Sequence, residues 1–305
     1  MNNAYRPRRT CLSVPGSSPK MIEKAKTLPA DEVFLDLEDA VAPDAKAQAR
    51  TQVAAALAGP GWAGQLRGVR VNDWTTPWTH ADVIVLPKVT DASHVHALDL
   101  LLTQLELTHG LPVGRIGVDA QIEDAKGQSN IREIAAAPRV QALVLGPADL
   151  MASLNMRTLV VGEQPEGYDV GDAYHHVLMT ILVAARAHGV AAIDGPYLKV
   201  HDVEAFRRVA GRSAALGYDG KWVLHPDQIA AGNEIFSPRQ EEYDRAELIL
   251  EAYQWHTSKA GGARGAVMLG VEMIDEASRK MALVIAGKGR AAGMQRAGER
   301  FVPPQ

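Results

Sequence analysis

Short apolar runs alternate with longer helical patterns along most of the chain. Eight runs are continuous and rich in Val, Ile and Leu, which is typical of parallel strands buried on both faces. They are Cys11–Val14, Val33–Leu37, Gly68–Val71, Val83–Leu86, Ile116–Ile122, Ala142–Leu145, Val190–Ile193 and Gly220–Leu224. Strands that alternate with helices indicate repeated βα units, and eight strands favour a closed barrel over an open sheet. We therefore predict an α/β protein with a (β/α)₈ TIM barrel and a C-terminal helical arm.

Amphipathic patterns between and after these runs predict the helices. They are Pro19–Leu28, Ala45–Ala58, His94–His109, Tyr174–His188, Asp202–Leu216, Glu241–Tyr253 and Asp275–Ala286. Ser18 and Asp44 precede the first two helices and are expected to cap them, since Ser and Asp are favoured at that position.

Three connections depart from the repeat. Asn155–Asp172 is long and polar in its second half, and we interpret it as a functional or mobile loop. Asp73–Asp82 is too short for a full helix, so a turn or short helix is expected there. The Gly-rich segment His256–Gly270 reads as a flexible connector. We predict a barrel domain over residues 1–255 and a linker and arm over 256–305.

Composition and charge limit what kind of protein the chain can be. With 47% hydrophobic and 22% charged residues and a net charge of −4, the chain has the balance of a globular enzyme and gives no sign of a nucleic-acid partner. No apolar run approaches the ~20 residues of a membrane span, so we expect no membrane association. Cys11 is the single cysteine and is expected to be a buried strand thiol. One cysteine excludes an intramolecular disulfide, and we expect a cytoplasmic protein.

Polar side chains gather at the predicted strand ends, where barrels of this kind carry their chemistry. Glu123 and Asp149 follow neighbouring strands, so their carboxylates can converge on one ion. Carboxylate oxygens suit Mg²⁺, and Mn²⁺ is expected to substitute for it. Arg70 faces the same mouth as a candidate carboxylate clamp. The acids expected to hold the waters of the ion are Asp36, Glu38 and Asp39.

Each candidate has a structural alternative. Asp149 could cap the helix that follows it, and Glu123 could be a solvated loop acid. Lys88 could pair with an acid at the strand ends or act in catalysis. His225 is expected to be structural. Asp275 precedes an apolar helical pattern, so the residues alone favour an N-cap.

Nine motifs in order make the chain resemble one family. They are Arg9–Ser17 (RTCLSVPGS), Phe34–Val41 (FLDLEDAV), Val69–Asn72 (VRVN), Leu86–Val89 (LPKV), Gln121–Gly127 (QIEDAKG), Gly146–Leu150 (GPADL), Ala192–Pro196 (AIDGP), Leu216–Pro226 (LGYDGKWVLHP) and Met273–Ala277 (MIDEA). The chain resembles the HpcH/HpaI aldolase and citrate lyase β-subunit-like family of CoA-ester lyases. Leu159–Pro165 (LVVGEQP) is most similar to its bacterial malyl-CoA and β-methylmalyl-CoA lyases.

The resemblance implies a function and a set of roles. It implies Mg²⁺-dependent, reversible Claisen-type cleavage of a 3-hydroxy-diacyl-CoA (L-malyl-CoA, β-methylmalyl-CoA or citramalyl-CoA) into an acyl-CoA and a 2-oxoacid. Metal ligation falls on Glu123 and Asp149, carboxylate binding on Arg70, and acid/base catalysis on Asp275 from a neighbouring subunit's arm. Further substrate contacts fall on Lys24, Ser13 and Ala148. The family assembles as trimers or hexamers, so a homotrimer or homohexamer is expected.

Four other functions stay open at this point. The same metal site could position water to hydrolyse malyl-CoA, as in a thioesterase. The chain could be a citrate lyase β subunit that needs partner chains, or an aldolase acting on free 2-oxoacids. It could also be a non-catalytic CoA-binding or assembly protein, although such a protein has no need of a complete acid and metal set.

Overall fold

A computed structural model describes residues 6–71, 80–158, 160–161 and 163–303 of the 305-residue chain. Eight parallel strands pair in chain order and close into a barrel, with the last strand against the first. The strands are β1 (Thr10–Pro15), β2 (Glu32–Asp36), β3 (Leu66–Arg70), β4 (Val83–Leu86), β5 (Gly117–Ile122), β6 (Val140–Leu145), β7 (Ala191–Asp194) and β8 (Gly220–Val223). Each overlaps one predicted run, so the predicted TIM barrel is confirmed.

Helices follow the strands, and the five helices predicted within the barrel are present as the first, second, third, seventh and eighth of them. In the barrel they are α1 (Pro19–Ala25), α2 (Lys46–Ala58), α3 (Ala92–Thr108), α4 (Ala125–Ser129), α5 (Ile131–Ala136), α6 (Pro147–Ser153), α7 (His175–His188), α8 (Val203–Leu216) and α9 (Asp227–Ile235). Of the two predicted caps, one has the predicted position and the other is wrong. Ser18 has the N-cap position of α1, but its side chain makes no capping hydrogen bond with the described chain. The N-cap of α2 is Ala45, and Asp44 lies one residue before it, inside a short 3₁₀ helix over Pro43–Ala45.

The core has two layers. The larger one packs the outward faces of the strands against the surrounding helices. The barrel interior is filled by a smaller cluster, whose members are Cys11, Phe34, Val85, Ala142, Val144, Ile193 and Trp222. Phe34 and Trp222 meet edge to face with ring centroids 5.4 Å apart. Gly68 makes room for this packing, because a Cβ there would lie 2.9 Å from Cβ of Phe34. Cys11 is buried as expected.

The remaining residues form a second compact unit. The chain divides after Phe236, and residues 237–303 group together with residues 6–7. This division lies earlier than the predicted boundary at 255. The reason is that α10 (Gln240–Thr257) packs along α11 (Glu276–Ala291), where Tyr243, Ala246, Ala282 and Ala286 form a buried cluster.

A hairpin stands where a flexible connector was expected. Strands β9 (Val267–Leu269) and β10 (Glu272–Ile274) pair antiparallel, with Leu269 opposite Glu272. Gly270 has a φ of +67° and supplies the backbone conformation that a two-residue hairpin turn requires. The connector prediction is therefore wrong over its last residues, since glycine there serves a defined turn.

Some expectations fall outside the described residues. The connection at residues 72–79, which includes Asn72 and most of the segment expected to form a turn or short helix, is among them. Leu159 and Gly162, which belong to the long loop over Asn155–Asp172, also lie outside the described residues. Among the helices that are described, each is too short or too polar to cross a membrane.

Candidate active site

Arg70 ends β3 at the C-terminal end of the barrel, and Asp36 at the end of the neighbouring strand β2 holds its guanidinium in place. It stands opposite Asp36 in the β2–β3 register, donating from Nε to Oδ1 at 2.8 Å and from Nη2 to Oδ2 at 2.6 Å. Both residues are buried. Nη1 lies 3.1 Å from Oε2 of Glu38, and the guanidinium carbon is 5.0 Å from the centroid of the Trp222 ring. Parallel hydrogen bonds to a carboxylate and a stacked aromatic ring hold the guanidinium in one orientation.

Asp36 has no spare oxygen in this arrangement. Besides both bonds to Arg70, its oxygens accept backbone N–H groups from Glu38 at 2.8 Å and Ala40 at 3.3 Å. Its contact with waters of a metal ion remains a prediction, while its contact with Arg70 is direct. Asp39 lies exposed beside Glu38 in the same loop.

Glu123 is a buried carboxylate held from both sides. Oε1 accepts the backbone N–H of Lys88 at 2.6 Å, and Oε2 accepts Nε2 of Gln121 at 2.7 Å. Gly146 leaves the space for this side chain, because a Cβ there would lie 2.4 Å from Oε2. Glu123 is therefore a buried side chain held by two hydrogen bonds, and the alternative of a solvated loop acid is wrong.

Burial and the neighbouring acids disfavour the ionised form of Glu123. Burial raises the pKa of Glu123 to about 7; the Lys88 amide opposes the rise, and the negative charge of Asp149 adds to it. Burial also raises the pKa of Glu38, although the Arg70 guanidinium and the Lys88 ammonium lower it in part. Carboxyls that resist ionisation beside one another form a group that a cation stabilises.

Asp149 lies across from Glu123 in the first turn of α6. The N-cap of this helix is Gly146, so the alternative in which Asp149 caps the helix is wrong. Its side chain is about half exposed, and Oδ1 lies 3.6 Å from Nζ of Lys88. Asp149 thus presents its carboxylate to the mouth of the barrel.

Lys88 already provides a cation among these acids. Its Nζ lies 3.1 Å from Oε1 of Glu38 and 3.6 Å from Oδ1 of Asp149. The expected pairing of Lys88 with a carboxylate at the strand ends is therefore confirmed. The Lys88 ammonium thus lies between two carboxylates, while the Lys88 backbone N–H binds Glu123. The acids around Lys88 offer only oxygen donors, which is the donor set that Mg²⁺ prefers. The residues present fit a magnesium ion held by Glu123 and Asp149.

The other predicted contact residues lie on neighbouring elements. Ser13 is half-buried in β1, Lys24 is exposed in the last turn of α1, and Ala148 is exposed next to Asp149 in α6. Their roles toward a substrate stay predictions.

Asp275 belongs to the second compact unit. It is the N-cap of α11, accepting the backbone N–H of Ser278 at 3.0 Å and the Ser278 hydroxyl at 3.1 Å. These Ser278 groups lower the pKa of Asp275. The N-cap alternative is thus confirmed, and it leaves an ionised, half-exposed carboxylate.

Two residues of the site escaped the sequence reasoning. Gln121 precedes Glu123 by two positions, so both side chains point to the same face of β5, and this spacing could have identified it. Trp222 under Arg70 could not be found this way, because the contact depends on closure of the barrel.

Comparison with known proteins identifies the family of the chain. Residues 9–226 match the HpcH/HpaI aldolase/citrate lyase family. The chain belongs to this family. A Cereibacter sphaeroides member named L-malyl-CoA/β-methylmalyl-CoA lyase is 39% identical over 302 residues, which cover 92% of this chain and 94% of that protein. A second protein of that species, named (3S)-malyl-CoA thioesterase, is 34% identical over 264 residues, covering 83% and 86%.

A solved protein structure has a similar fold over almost the whole chain. It is the Mycobacterium tuberculosis protein CitE in complex with magnesium, acetoacetate and coenzyme A. It superposes with a TM-score of 0.69 at 29% identity, covering 95% of this chain and 99% of that one.

Proposed function

We propose that this protein is a Mg²⁺-dependent carbon–carbon lyase for CoA esters. Its reaction is the reversible cleavage of a 3-hydroxy-diacyl-CoA, such as L-malyl-CoA or β-methylmalyl-CoA, into an acyl-CoA and a 2-oxoacid such as glyoxylate. Citramalyl-CoA, which would give pyruvate, belongs to the same substrate class. The observation that carries the proposal is the convergence of Glu123, Asp149, Lys88 and Arg70 at one mouth of the barrel.

Glu123 and Asp149 would hold the ion. When bound, Mg²⁺ supplies Lewis-acid stabilisation of the oxygen that gains negative charge during cleavage. Mn²⁺ is expected to serve in its place, because it also takes oxygen ligands. Lys88 would then give up its contact with Asp149 and stay near Glu38.

Arg70 would bind the substrate carboxylate. Asp36 occupies its Nε and Nη2 groups, and Glu38 lies 3.1 Å from Nη1, so the substrate carboxylate would take over or share the Nη1 contact with Glu38. A guanidinium that is already oriented holds the scissile bond in position at little further entropic cost. Ser13, Lys24 and Ala148 are proposed to contact the CoA ester.

Asp275 would move the proton. In cleavage the Asp275 carboxylate would take up the proton that the substrate hydroxyl loses as the carbon–carbon bond breaks, and would pass it to the carbon of the thioester enolate; in condensation it would remove that proton from the carbon and return it to the new hydroxyl oxygen. The lowered pKa of Asp275 keeps it ionised, which is the form needed as a base. We infer that Asp275 acts in the site of a neighbouring subunit, in a homotrimer or homohexamer.

The second candidate is a malyl-CoA thioesterase, which is favoured by the 34% identity to a protein of that name. There the same acids would position a water against the thioester carbonyl. We also infer a cytoplasmic location, because one cysteine in 305 residues suits a reducing compartment.

The deciding experiment is incubation of the purified protein with L-malyl-CoA and Mg²⁺, with and without EDTA, and identification of the products by mass. Acetyl-CoA plus glyoxylate, lost with EDTA, is the expected result. Free CoA plus malate would instead establish the thioesterase. Turnover of free malate at the same rate would indicate an aldolase that does not depend on CoA, and no reaction with any of the named esters would contradict the proposal.

A further inference from the structure

A second group of metal-ligating side chains lies at the same end of the barrel, on different loops. His201 lies between β7 and α8, His225 follows β8, and Asp227 is the first residue of α9. None of the roles proposed above uses these residues. The carboxylates of the magnesium site follow β5 and β6, whereas these ligands follow β7 and β8.

The three side chains converge on one point. Nδ1 of His201 lies 3.3 Å from Oδ2 of Asp227, and Nδ1 of His225 lies 3.2 Å from the same oxygen. One ligand atom of each residue lies within 4.8 Å of the other two. The imidazole rings pack edge to face, with centroids 4.7 Å apart.

These spacings suit a tetrahedral metal ion. Ligands at about 2.0–2.1 Å from Zn²⁺ in tetrahedral geometry are about 3.3 Å from one another. The two nitrogen–oxygen distances already have this value, so only the two rings would need to approach each other. The side chains are 75%, 36% and 52% exposed for His201, His225 and Asp227, which leaves the fourth position open to water.

We propose that His201, His225 and Asp227 form a second metal site that takes Zn²⁺ or a similar transition metal, and not Mg²⁺. Two imidazoles and one carboxylate are ligands that select transition metals, whereas the magnesium site offers only oxygen. The bound ion would tie the loop after β7 to the start of α9. This inference is independent of the proposed reaction.

The test uses the full-length chain with Glu123→Gln and Asp149→Asn, so that the carboxylates of the other site do not compete. Metal-stripped protein is titrated with Zn²⁺ by calorimetry and with Co²⁺ by visible absorption, since four-coordinate Co²⁺ with imidazole ligands absorbs strongly. Thermal unfolding with and without Zn²⁺ gives a further readout, because a ligand of the native state raises the transition temperature.

One Zn²⁺ per chain, Co²⁺ bands and a rise in the transition temperature are expected. His201→Ala should lower Zn²⁺ affinity by about tenfold or more and abolish the Co²⁺ bands. His96→Ala removes an exposed histidine on α3 and should change neither. Zn²⁺ binding that is absent, or that persists unchanged in His201→Ala, would overturn the proposal. Circular dichroism establishes that each variant is folded.

Discussion

Asp36 and Arg70 lie opposite each other on β2 and β3 and are joined by two hydrogen bonds of 2.8 and 2.6 Å. The pair is buried, and the Trp222 ring lies against the guanidinium. The orientation of Arg70 is therefore set by the protein before any substrate binds.

Asp36→Asn should weaken both folding and turnover. It leaves the buried Arg70 charge with Glu38 alone, so a loss of about 3 kcal/mol in unfolding free energy is expected. Misplacement of the guanidinium should lower kcat/KM for L-malyl-CoA by about 10²-fold. Asp82→Asn is the matched control, because Asp82 pairs with Arg67 at the start of the same strand. The assignment fails if both variants have wild-type kcat/KM.

Glu123→Gln and Asp149→Asn should each impair metal binding. A neutral amide replaces an anionic ligand, so Mg²⁺ affinity should fall by at least about tenfold, as seen by calorimetry. Asp124→Asn tests specificity, since Asp124 caps α4 through the backbone N–H of Gly127 at 2.6 Å and asparagine caps equally well. Equal Mg²⁺ affinity in the wild type and Glu123→Gln would exclude Glu123 as a ligand.

Gly146→Ala should damage the site without unfolding the barrel. The new methyl group would lie 2.4 Å from Oε2 of Glu123, so the carboxylate must move. Activity and Mg²⁺ affinity should both fall, while circular dichroism stays unchanged. Gly211→Ala adds a methyl group where the described chain has no atom within 4 Å, and it should leave activity intact. Full activity of Gly146→Ala would mean that the position of Glu123 is unimportant.

Asp275→Asn should abolish lyase turnover and keep the fold. Asparagine caps a helix as well as aspartate does, so α11 should remain, but the amide cannot exchange a proton with the substrate. Mg²⁺ binding should be unchanged. Glu276→Gln removes the adjacent acid, which is paired with Arg279, and should remain active. A well-folded Asp275→Asn with normal turnover would remove Asp275 from the mechanism.

Mixed oligomers test whether Asp275 acts across subunits. Asp275→Asn and Glu123→Gln chains are each expected to be inactive alone. After unfolding and refolding together, some sites should combine an intact barrel with an intact arm, and activity should return. If activity does not return in oligomers shown to contain both chains, Asp275 acts within its own subunit.

Glu106 should make the free energy of unfolding of the barrel depend on pH. Burial by itself would raise the pKa of Glu106, but Arg139 and the backbone N–H groups of Ile116 and Gly114 outweigh it, so the pKa is lowered. A lowered folded-state pKa contributes stability above the ordinary value of about 4.3, and this contribution is lost as pH falls through the folded value.

Glu106→Gln should therefore lower the unfolding free energy by about 1–3 kcal/mol at neutral pH, and by less in acid. Urea unfolding at neutral pH and below about pH 4 measures the difference. Glu133→Gln, an exposed acid on α5, should have no effect at either pH. A deficit that does not narrow in acid would contradict this role for Glu106.

Much of the fold followed from local pattern. Each of the eight strands overlaps a predicted run that is rich in apolar residues, as expected of strands buried on both faces, although β3 and β5 also carry buried polar side chains such as Arg70 and Gln121. The site acids were found because parallel strands deliver their C-terminal residues to one end of a barrel. The N-cap of α11 at Asp275 could also be predicted from the sequence, since capping depends on residues only three positions apart.

Local sequence pattern was thus sufficient to predict the barrel and the carboxylates at its mouth, because each depends on residues close together in the chain. The order of strand pairing, the position of Lys88 between Glu38 and Asp149, and the contact of His201 and His225 with Asp227 came from the three-dimensional structure alone. It also decided that α10 belongs with α11. These contacts join residues from separate loops and helices, and their distances are set by strand register and helix packing, which no local pattern of residues records.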